Sequence, residues 1–217
     1  MDQPLPTQGT VSVVEIEVAD APDSWERAGF HVDADAVCRV GGVRIRLRGA
    51  PGAGIVGWSL RGLPRDGSLD GIPTMRSDAD PPAPTVHPNG VTAIDHLVLM
   101  SADLSRTVEA LAGVGLEPRR ERDARLGGRP IRQIFFRLGE VILEVVGAPD
   151  TAGDGPSTLW GITYVVDDID AAARYFGDRI APVKEAVQPG RRITTLRHRA
   201  YGMSVPTALI SPHILTA

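Results

Sequence analysis

The feature that most constrains the fold of this chain is a short pattern that occurs three times. Each copy is a β-rich run that reaches an aspartate seven residues after its first position, and an Ala-rich or amphipathic helix follows. The three copies are residues 13–20, 96–103 and 161–168. An aspartate before a helix accepts hydrogen bonds from the free amides of the first turn, so we predict that Asp20, Asp103 and Asp168 are N-caps. Further extended segments follow each helix, which predicts the order β-α-β-β-β in each copy.

This repeat predicts an α+β fold in which βαβββ modules form a curved mixed sheet with helices covering one face. A degenerate first module is expected at residues 1–63. Residues 64–92 are dense in Pro, Gly, Asp and Ser and are predicted to form a linker. The module at 93–149 carries the candidate site, and the module at 158–217 is predicted to pair with it.

Composition excludes several classes of function. A chain of 217 residues with 42% hydrophobic content can bury a substantial core, in which we place Trp25, Trp58 and Trp160. The net charge of -4 gives no basic footprint for nucleic acid. No apolar run approaches the roughly 20 residues of a membrane helix, and the first ten residues lack the layout of a signal peptide. The single cysteine, Cys38, forbids an internal disulfide, and we expect a cytoplasmic protein.

Two polar residues, His96 and Glu144, interrupt apolar strands of the module at 93–149. An imidazole and a carboxylate brought together inside a curved sheet can form half of a metal site. A turn at Leu138-Gly139 places Gln133 opposite Glu144, and because side chains alternate, both should share the face that His96 reaches. We therefore predict that the three side chains converge. Gln133 is interpreted as a metal ligand or substrate donor, or as an exposed glutamine on a strand edge.

The module at 158–217 offers further polar candidates. A turn at Tyr201-Gly202 predicts that Arg192 and His198 point inward, and we predict Arg192, His198 and Thr207 as substrate-binding residues. A guanidinium group after a tight turn can clamp a carboxylate or phosphate bidentately. The alternative is a solvated loop charge, which we favour for Arg191 and leave open for Arg192. The alternative for His198 is a surface histidine on a strand.

The middle module, with His96 in its first strand and Leu143-Glu144 in its last, resembles the vicinal oxygen chelate superfamily. That group includes glyoxalases, bleomycin- and fosfomycin-resistance proteins, methylmalonyl-CoA epimerases and extradiol dioxygenases. The resemblance extends over residues 93–212, includes the phrase Ile169-Asp170-Ala171 after a strand, and is weaker over 11–63. It implies a glyoxalase-like fold, in which two modules form a bowl and a divalent metal is bound by the first and last strands of both.

Carried onto this sequence, the resemblance makes His96 and Glu144 the metal ligands and the catalytic residues. The corresponding positions of the other modules hold neither imidazole nor carboxylate: they are Gly161, Val13, Thr207 and Ser59. The metal pattern of the family is therefore half empty, and an ion such as Zn, Ni, Mn or Fe has two protein ligands at most in one bowl.

Four interpretations stay open at this point. The pair could be completed by water, substrate oxygens and one local residue, or by the same pair of a second chain. The metal could be lost and the bowl could bind a small molecule, or the pair could belong to a satisfied polar core. We favour a small-molecule-binding protein without a complete metal site. The alternative is a divalent-metal-dependent lyase, isomerase or epimerase acting on a small α-oxygenated carbonyl compound. The spare first module leads us to expect a homodimer.

Overall fold

Fourteen β-strands and three α-helices lie between residues 10 and 213, the part of the chain that the computed structural model describes. The helices are α1 (Pro22–Arg27), α2 (Leu104–Ala112) and α3 (Ile169–Phe176). The strands are β1 (Ser12–Val18), β2 (Val37–Val40), β3 (Val43–Leu47), β4 (Ile55–Arg61), β5 (Gly67–Leu69), β6 (Ile72–Arg76), β7 (Val91–Met100), β8 (Arg120–Leu126), β9 (Arg129–Leu138), β10 (Val141–Gly147), β11 (Thr158–Val166), β12 (Lys184–Glu185), β13 (Arg192–Thr195) and β14 (Thr207–Ile210). Residues 1–9, which we expected not to form a signal peptide, and residues 214–217 lie outside this description.

An eight-stranded sheet contains the two modules that begin near residues 93 and 158. Its strand order is β12-β13-β14-β11-β7-β10-β9-β8. In each module the first strand runs parallel to the last, β7 beside β10 and β11 beside β14. The two first strands, β7 and β11, pair antiparallel at the centre, so an approximate two-fold rotation exchanges the modules. The predicted α+β fold, with repeated modules in a curved mixed sheet, is confirmed.

The other sheet has six strands in the order β2-β3-β1-β4-β6-β5, and its connections differ from the prediction. We expected β4 to be the last strand of the first module. Instead β4 runs antiparallel to β1, as β11 does to β7, and parallel to β6. By this topology, β4, β5 and β6 are the remnant of a fourth module that lacks a helix. Two strands therefore lie within residues 64–92, where we predicted a linker.

Local polar contacts fix this remnant in place. Within the sheet, Trp58 Nε1 donates to Thr74 Oγ1 at 2.8 Å, which joins β4 to β6. In the turn between β5 and β6, Asp70 accepts hydrogen bonds from Arg106 Nε at 2.5 Å, and from the hydroxyls of Thr107 and Ser157 at 2.5 and 2.6 Å. Because Arg106 and Thr107 belong to α2, this one carboxylate connects the two sheets through the helix.

The predicted N-caps hold for two helices of three. The side chain of Asp103 accepts from the amide of Arg106, and that of Asp168 accepts from the amides at the start of α3. The prediction for Asp20 is wrong: the cap position of α1 is Ala21, with no side-chain bond. The Asp20 carboxylate instead accepts from Trp25 Nε1 at 3.0 Å and from the amide of Ser204 at 3.0 Å, because its burial brings it to these partners.

One hydrophobic core joins both sheets and the helices. Trp25 and Trp58 are fully buried within it, as predicted, and Cys38 is buried with a thiol pKa that burial raises. Trp160 is not in the core: it sits between paired Leu159 and Gly161 at an irregularity of β11, and 52% of it is exposed. None of the helices in the described part of the chain has the length and apolar character needed to cross a membrane.

The contact between the sheets also changes the argument for a homodimer. We expected a second chain because the sequence indicated no partner for the first module. In the structure that module pairs with the β4–β6 remnant and packs against the eight-stranded sheet. The original reason no longer applies, and a dimer stays a prediction for sedimentation to test.

Candidate functional site

The concave face of the eight-stranded sheet encloses a cavity of about 560 Å³. The lining includes Arg120 and Arg122 from the edge strand β8, and Lys184 and Glu185 from β12 at the opposite edge. Two strands that are seven positions apart in the sheet therefore face the same space, because the sheet curves around it. His96 of β7 lies at the centre of this face and reaches the cavity.

A β-bulge shapes the strand that carries His96. On the neighbouring strand, Thr163 pairs with His96 and Tyr164 pairs with Ile94, so Asp95 has no partner in the ladder. A bulge leaves one extra residue unpaired and re-aims the side chains around it. Here it allows two consecutive side chains to meet: Nδ1 of His96 lies 2.9 Å from Oδ2 of Asp95.

A buried arginine holds the other oxygen of this carboxylate. Arg191 Nη2 donates to Asp95 Oδ1 at 2.7 Å, and Arg191 Nε donates to the carbonyl of Ser211 at 2.8 Å. The side chains of Arg191 and Asp95 are 1% and 3% exposed. The interpretation of Arg191 as a solvated loop charge is therefore wrong, because its ion pair carries it into the protein.

The charge state of Asp95 follows from these contacts. Burial raises the pKa of the carboxyl, but the hydrogen bonds and charges of His96 and Arg191 outweigh burial and lower the pKa below its ordinary value. Asp95 is therefore a carboxylate at neutral pH and can only accept hydrogen bonds. Nδ1 of His96 must carry the proton between them, and Nε2 is the atom that faces the cavity side.

On that side, His96 meets Glu144. Nε2 of His96 lies 3.4 Å from Oε2 of Glu144, and the two side chains are 15% and 12% exposed. The other oxygen of Glu144 accepts a short hydrogen bond from the amide nitrogen of Gln133. The amide oxygen of Gln133 in turn accepts from Nε of Arg122 at 2.9 Å. A continuous polar chain thus runs from buried Arg191 to Arg122, through the three residues that we predicted to converge.

The convergence holds although the predicted hairpin register does not. The turn is at Gly139-Glu140, and Glu144 pairs with Phe135 rather than with Gln133. The register error is two residues. Since side chains alternate with a period of two, Gln133 and Glu144 stay on the same face of the hairpin.

The structure does not bring the three candidates from the last module to the cavity. Arg192 forms an ion pair at 2.6 Å with Asp170 of α3, on the helix-bearing face. His198 lies in a short 3-10 helix, His198–Tyr201. The strand β13 ends at Thr195, so His198 has no position on its inward face. Thr207 is buried, and its hydroxyl donates to the carbonyl of Val205 at 2.9 Å. The inward face of β13 carries Ile193 and Thr195 instead.

Sequence reasoning missed Asp95 and Arg191, the residues behind His96. A carboxylate within the apolar run of β7 was a visible signal for Asp95. Arg191 gave no local signal, because its partner lies 96 residues away in sequence. The basic residues around the cavity gave no common signal in the sequence, since their shared location depends on the curvature of the sheet.

Solved structures with a similar fold include a mutant 4-hydroxymandelate synthase from Streptomyces coelicolor. It is 13% identical, with a TM-score of 0.64, and the match covers 96% of this chain and 94% of that one. The chain has an α+β glyoxalase-like fold. It also matches a fusion of a xylose isomerase-like TIM barrel with 4-hydroxyphenylpyruvate dioxygenase, at 14% identity and a TM-score of 0.64. That match covers 99% of this chain but only 51% of the fusion protein.

A methylmalonyl-CoA epimerase from Streptomyces coelicolor is 24% identical, with a TM-score of 0.44. The match covers 58% of this chain and 99% of the epimerase. No protein-family model matches the sequence, and no curated protein matches the chain. The two structures with a TM-score of 0.64 establish the glyoxalase-like fold, and the chemistry has to be argued from the site.

The resemblance to the vicinal oxygen chelate superfamily implies a metal bound by both modules, and the second module cannot supply its first ligand. β7 and β11 pair His96 with Thr163 and Val98 with Gly161, so the two-fold rotation maps His96 onto Gly161. A Cβ at Gly161 would lie 2.7 Å from the carbonyl oxygen of Pro206. The backbone of the adjacent segment occupies the place where a ligating side chain would begin.

The second ligand is missing for a different reason. Glu144 pairs with Val98, and Ala208 pairs with Thr163, so the rotation maps Glu144 onto Ala208. Our assignment of this position to Thr207 is one residue off, because Pro149 follows Glu144 by five residues whereas Pro212 follows Ala208 by four. An alanine offers no metal ligand.

Only His96 and Glu144 therefore remain from the metal pattern of the fold. No group of three His, Cys, Asp or Glu side chains between residues 10 and 213 is arranged to hold a metal ion. A catalytic zinc centre takes three protein ligands. The residues present do not fit such a centre, and we derive no chemical step through a metal.

Proposed function

We propose that this protein binds a small molecule in the concave cavity, directly above the pair formed by His96 and Glu144. Its size supports this proposal, because about 560 Å³ lies within the range of ligand pockets. The wall combines apolar side chains, such as Phe135 and Ile142, with a few polar groups that converge. This combination is typical of small-molecule sites.

The observation that carries the proposal is the 3.4 Å separation between Nε2 of His96 and Oε2 of Glu144. Nδ1 of His96 donates its proton in a hydrogen bond to Asp95, so a neutral imidazole would present the lone pair of Nε2 to the Glu144 carboxylate. A favourable contact between Nε2 and Oε2 requires one proton between them. A proton shared in this way would lie at the cavity wall, within reach of a ligand that could hydrogen-bond to it or exchange it with the pair.

Asp95 and Arg191 are positioning residues in this proposal. They touch no ligand, but they fix the ring orientation and the tautomer of His96, as a carboxylate behind a histidine does in many enzymes. Gln133 and Arg122 hold Glu144 in the same way from the opposite side. The chain thus presents a fixed donor and acceptor to the ligand.

A thermal-shift screen of small organic molecules tests binding. Compounds that stabilise the wild-type protein should fail to stabilise Thr195→Trp, in which an indole fills the cavity from an exposed lining position. The matched control is Arg199→Trp, at an exposed position outside the cavity. Equal stabilisation of all three proteins by every compound would contradict the proposal.

A divalent-metal-dependent lyase, isomerase or epimerase is the second candidate, although the described residues supply only two ligands, His96 and Glu144, whose separation suits a shared ion. Two ligands on a tetrahedral ion with bonds of 2.0–2.1 Å lie about 3.3 Å apart, close to the 3.4 Å between Nε2 and Oε2. Metal analysis of protein purified without chelator separates the candidates. About one equivalent of metal, lost in His96→Ala, would favour the metal enzyme. Metal below about a tenth of an equivalent, with a chelator-insensitive melting temperature, would favour the binding protein.

A further inference from the structure

The wall of the cavity is strongly basic in an acidic protein. The whole chain has a formal net charge of -4. The cavity is nevertheless lined by five cationic side chains and by two acidic ones, Glu144 and Glu185. The cationic residues are Arg119, Arg120, Arg122, Arg137 and Lys184. Concentration of one sign of charge in a cleft raises the local concentration of ligands of the opposite sign.

Most of this charge is not used within the protein. Arg119, Arg120, Arg137 and Lys184 form no ion pair with an acidic side chain in the part of the chain that the structure describes. Other arginines of the same sheet are neutralised, such as Arg132 by Asp123 at 2.8 Å.

The basic residues adjoin an apolar surface. The guanidinium carbon of Arg120 lies 5.5 Å from the ring centre of Phe135, which holds this charge over an aromatic face. Arg137 pairs across the hairpin with Ile142, and both line the cavity. Ile193 contributes from the opposite module. A ligand that matches this wall has an apolar body and an anionic group.

We propose that the cavity binds an organic anion, whose carboxylate, sulfonate or phosphate group is held by Arg120, Arg137 and Lys184 and whose apolar body lies on Phe135 and Ile142. This inference rests on the proposed function and adds the charge class of the ligand. The carboxylate of Glu144 repels the anionic group. The other end of the ligand therefore contacts the pair formed by His96 and Glu144.

Two fluorescent dyes with the same ring system test the charge class. The anionic probe is 1-anilinonaphthalene-8-sulfonate, and the neutral probe is N-phenyl-1-naphthylamine, which lacks the sulfonate. We expect the wild-type protein to bind the anionic dye at least about tenfold more tightly, a difference of about 1.4 kcal/mol. Added salt should weaken the binding of the anionic dye and leave that of the neutral dye unchanged.

Variants assign the effect to the cavity. The triple variant Arg120→Gln, Arg137→Gln and Lys184→Gln should lower the affinity for the anionic dye about tenfold or more and change that of the neutral dye less than about twofold. The matched control, which removes the same charge from exposed positions outside the cavity, is Arg125→Gln, Arg129→Gln and Arg199→Gln. The control should leave both affinities within about twofold of wild type.

The outcomes separate the inference from the proposed function. If Thr195→Trp blocks both dyes but wild type shows no preference for the anion, the inference fails and the binding cavity stands. The inference is also overturned if the control variant loses as much affinity for the anionic dye as the cavity variant does. If neither dye binds, or if Thr195→Trp leaves both affinities unchanged, the inference fails, and the thermal-shift screen decides the proposed function separately.

Discussion

Asp95 and His96 are consecutive residues of one strand, yet the carboxylate of Asp95 lies 2.9 Å from Nδ1 of His96. Neighbouring side chains of a regular strand point to opposite faces. The bulge at Asp95 removes that restriction and places a buried, arginine-held carboxylate directly behind a histidine of the cavity. The proposed role of His96 depends on this relationship.

The buried ion pair behind His96 should be costly to break. Asp95→Asn leaves the guanidinium of Arg191, which is 1% exposed, without its countercharge. Breaking one partner of a buried pair costs about 3–5 kcal/mol, and we expect a loss of that size in the free energy of unfolding measured with urea. Asp170→Asn is the control, because its pair with Arg192 is about half exposed and should cost less than about 1 kcal/mol. Equal losses in the two variants would show that Arg191 does not depend on Asp95.

The free energy of unfolding should fall in acid, because the carboxylates of Asp70 and Asp95 have lowered pKa values in the folded protein. Burial raises the pKa of both Asp70 and Asp95, but hydrogen bonds from Arg106, Ser157 and Thr107 to Asp70, and from His96 and Arg191 to Asp95, lower both below the ordinary value. A lowered pKa in the folded state contributes stability that is complete above the unfolded value of about 3.9 and is lost as the pH falls towards the folded value.

Urea unfolding between about pH 7 and pH 3 measures this contribution, and we expect the free energy of unfolding to decline below about pH 4. In Asp70→Asn the decline should be shallower, because one of the two carboxylates no longer titrates. A free energy that is constant or rises as the pH falls from 5 to 3 would contradict the assignment of both groups.

The close approach at Gly161 should make a side chain there destabilising. In Gly161→Ala the new Cβ would lie 2.7 Å from the carbonyl oxygen of Pro206, so the backbone has to shift. We expect a loss of about 1–3 kcal/mol in the free energy of unfolding, as for other overpacked sites. The control is Gly67→Ala, where nothing lies within 4 Å of the added atom, and where a change within about 0.5 kcal/mol is expected. If Gly161→Ala is as stable as wild type, the second module has room for a metal-ligating side chain at this position.

Periodicity was enough to predict what depends on alternation along one strand or helix. The caps Asp103 and Asp168 follow from local rules, and Gln133 and Glu144 share a face because a register error of two residues preserves it. This is why the convergence of His96, Gln133 and Glu144 could be predicted although the hairpin turn was misplaced.

What could not be predicted depends on neighbours that are distant in sequence. The bulge at Asp95 is defined by the pairing of β7 with β11. Arg191 can be buried because it forms an ion pair with Asp95. The fourth module was missed since β5 and β6 are three and five residues long and lie in a segment rich in proline and glycine. Such short strands are stabilised by pairing and burial rather than by local propensity.

The most direct test of the account is the nitrogen NMR spectrum of the His96 ring, assigned with His96→Gln and recorded with and without a compound that stabilises the protein. We predict a proton on Nδ1 in the free protein, because Nδ1 donates a hydrogen bond to Asp95. We also predict a change in the Nε2 signal when the compound binds, because Nε2 faces the cavity. A bare Nδ1 at neutral pH, with ring signals that no cavity ligand alters, would contradict the account.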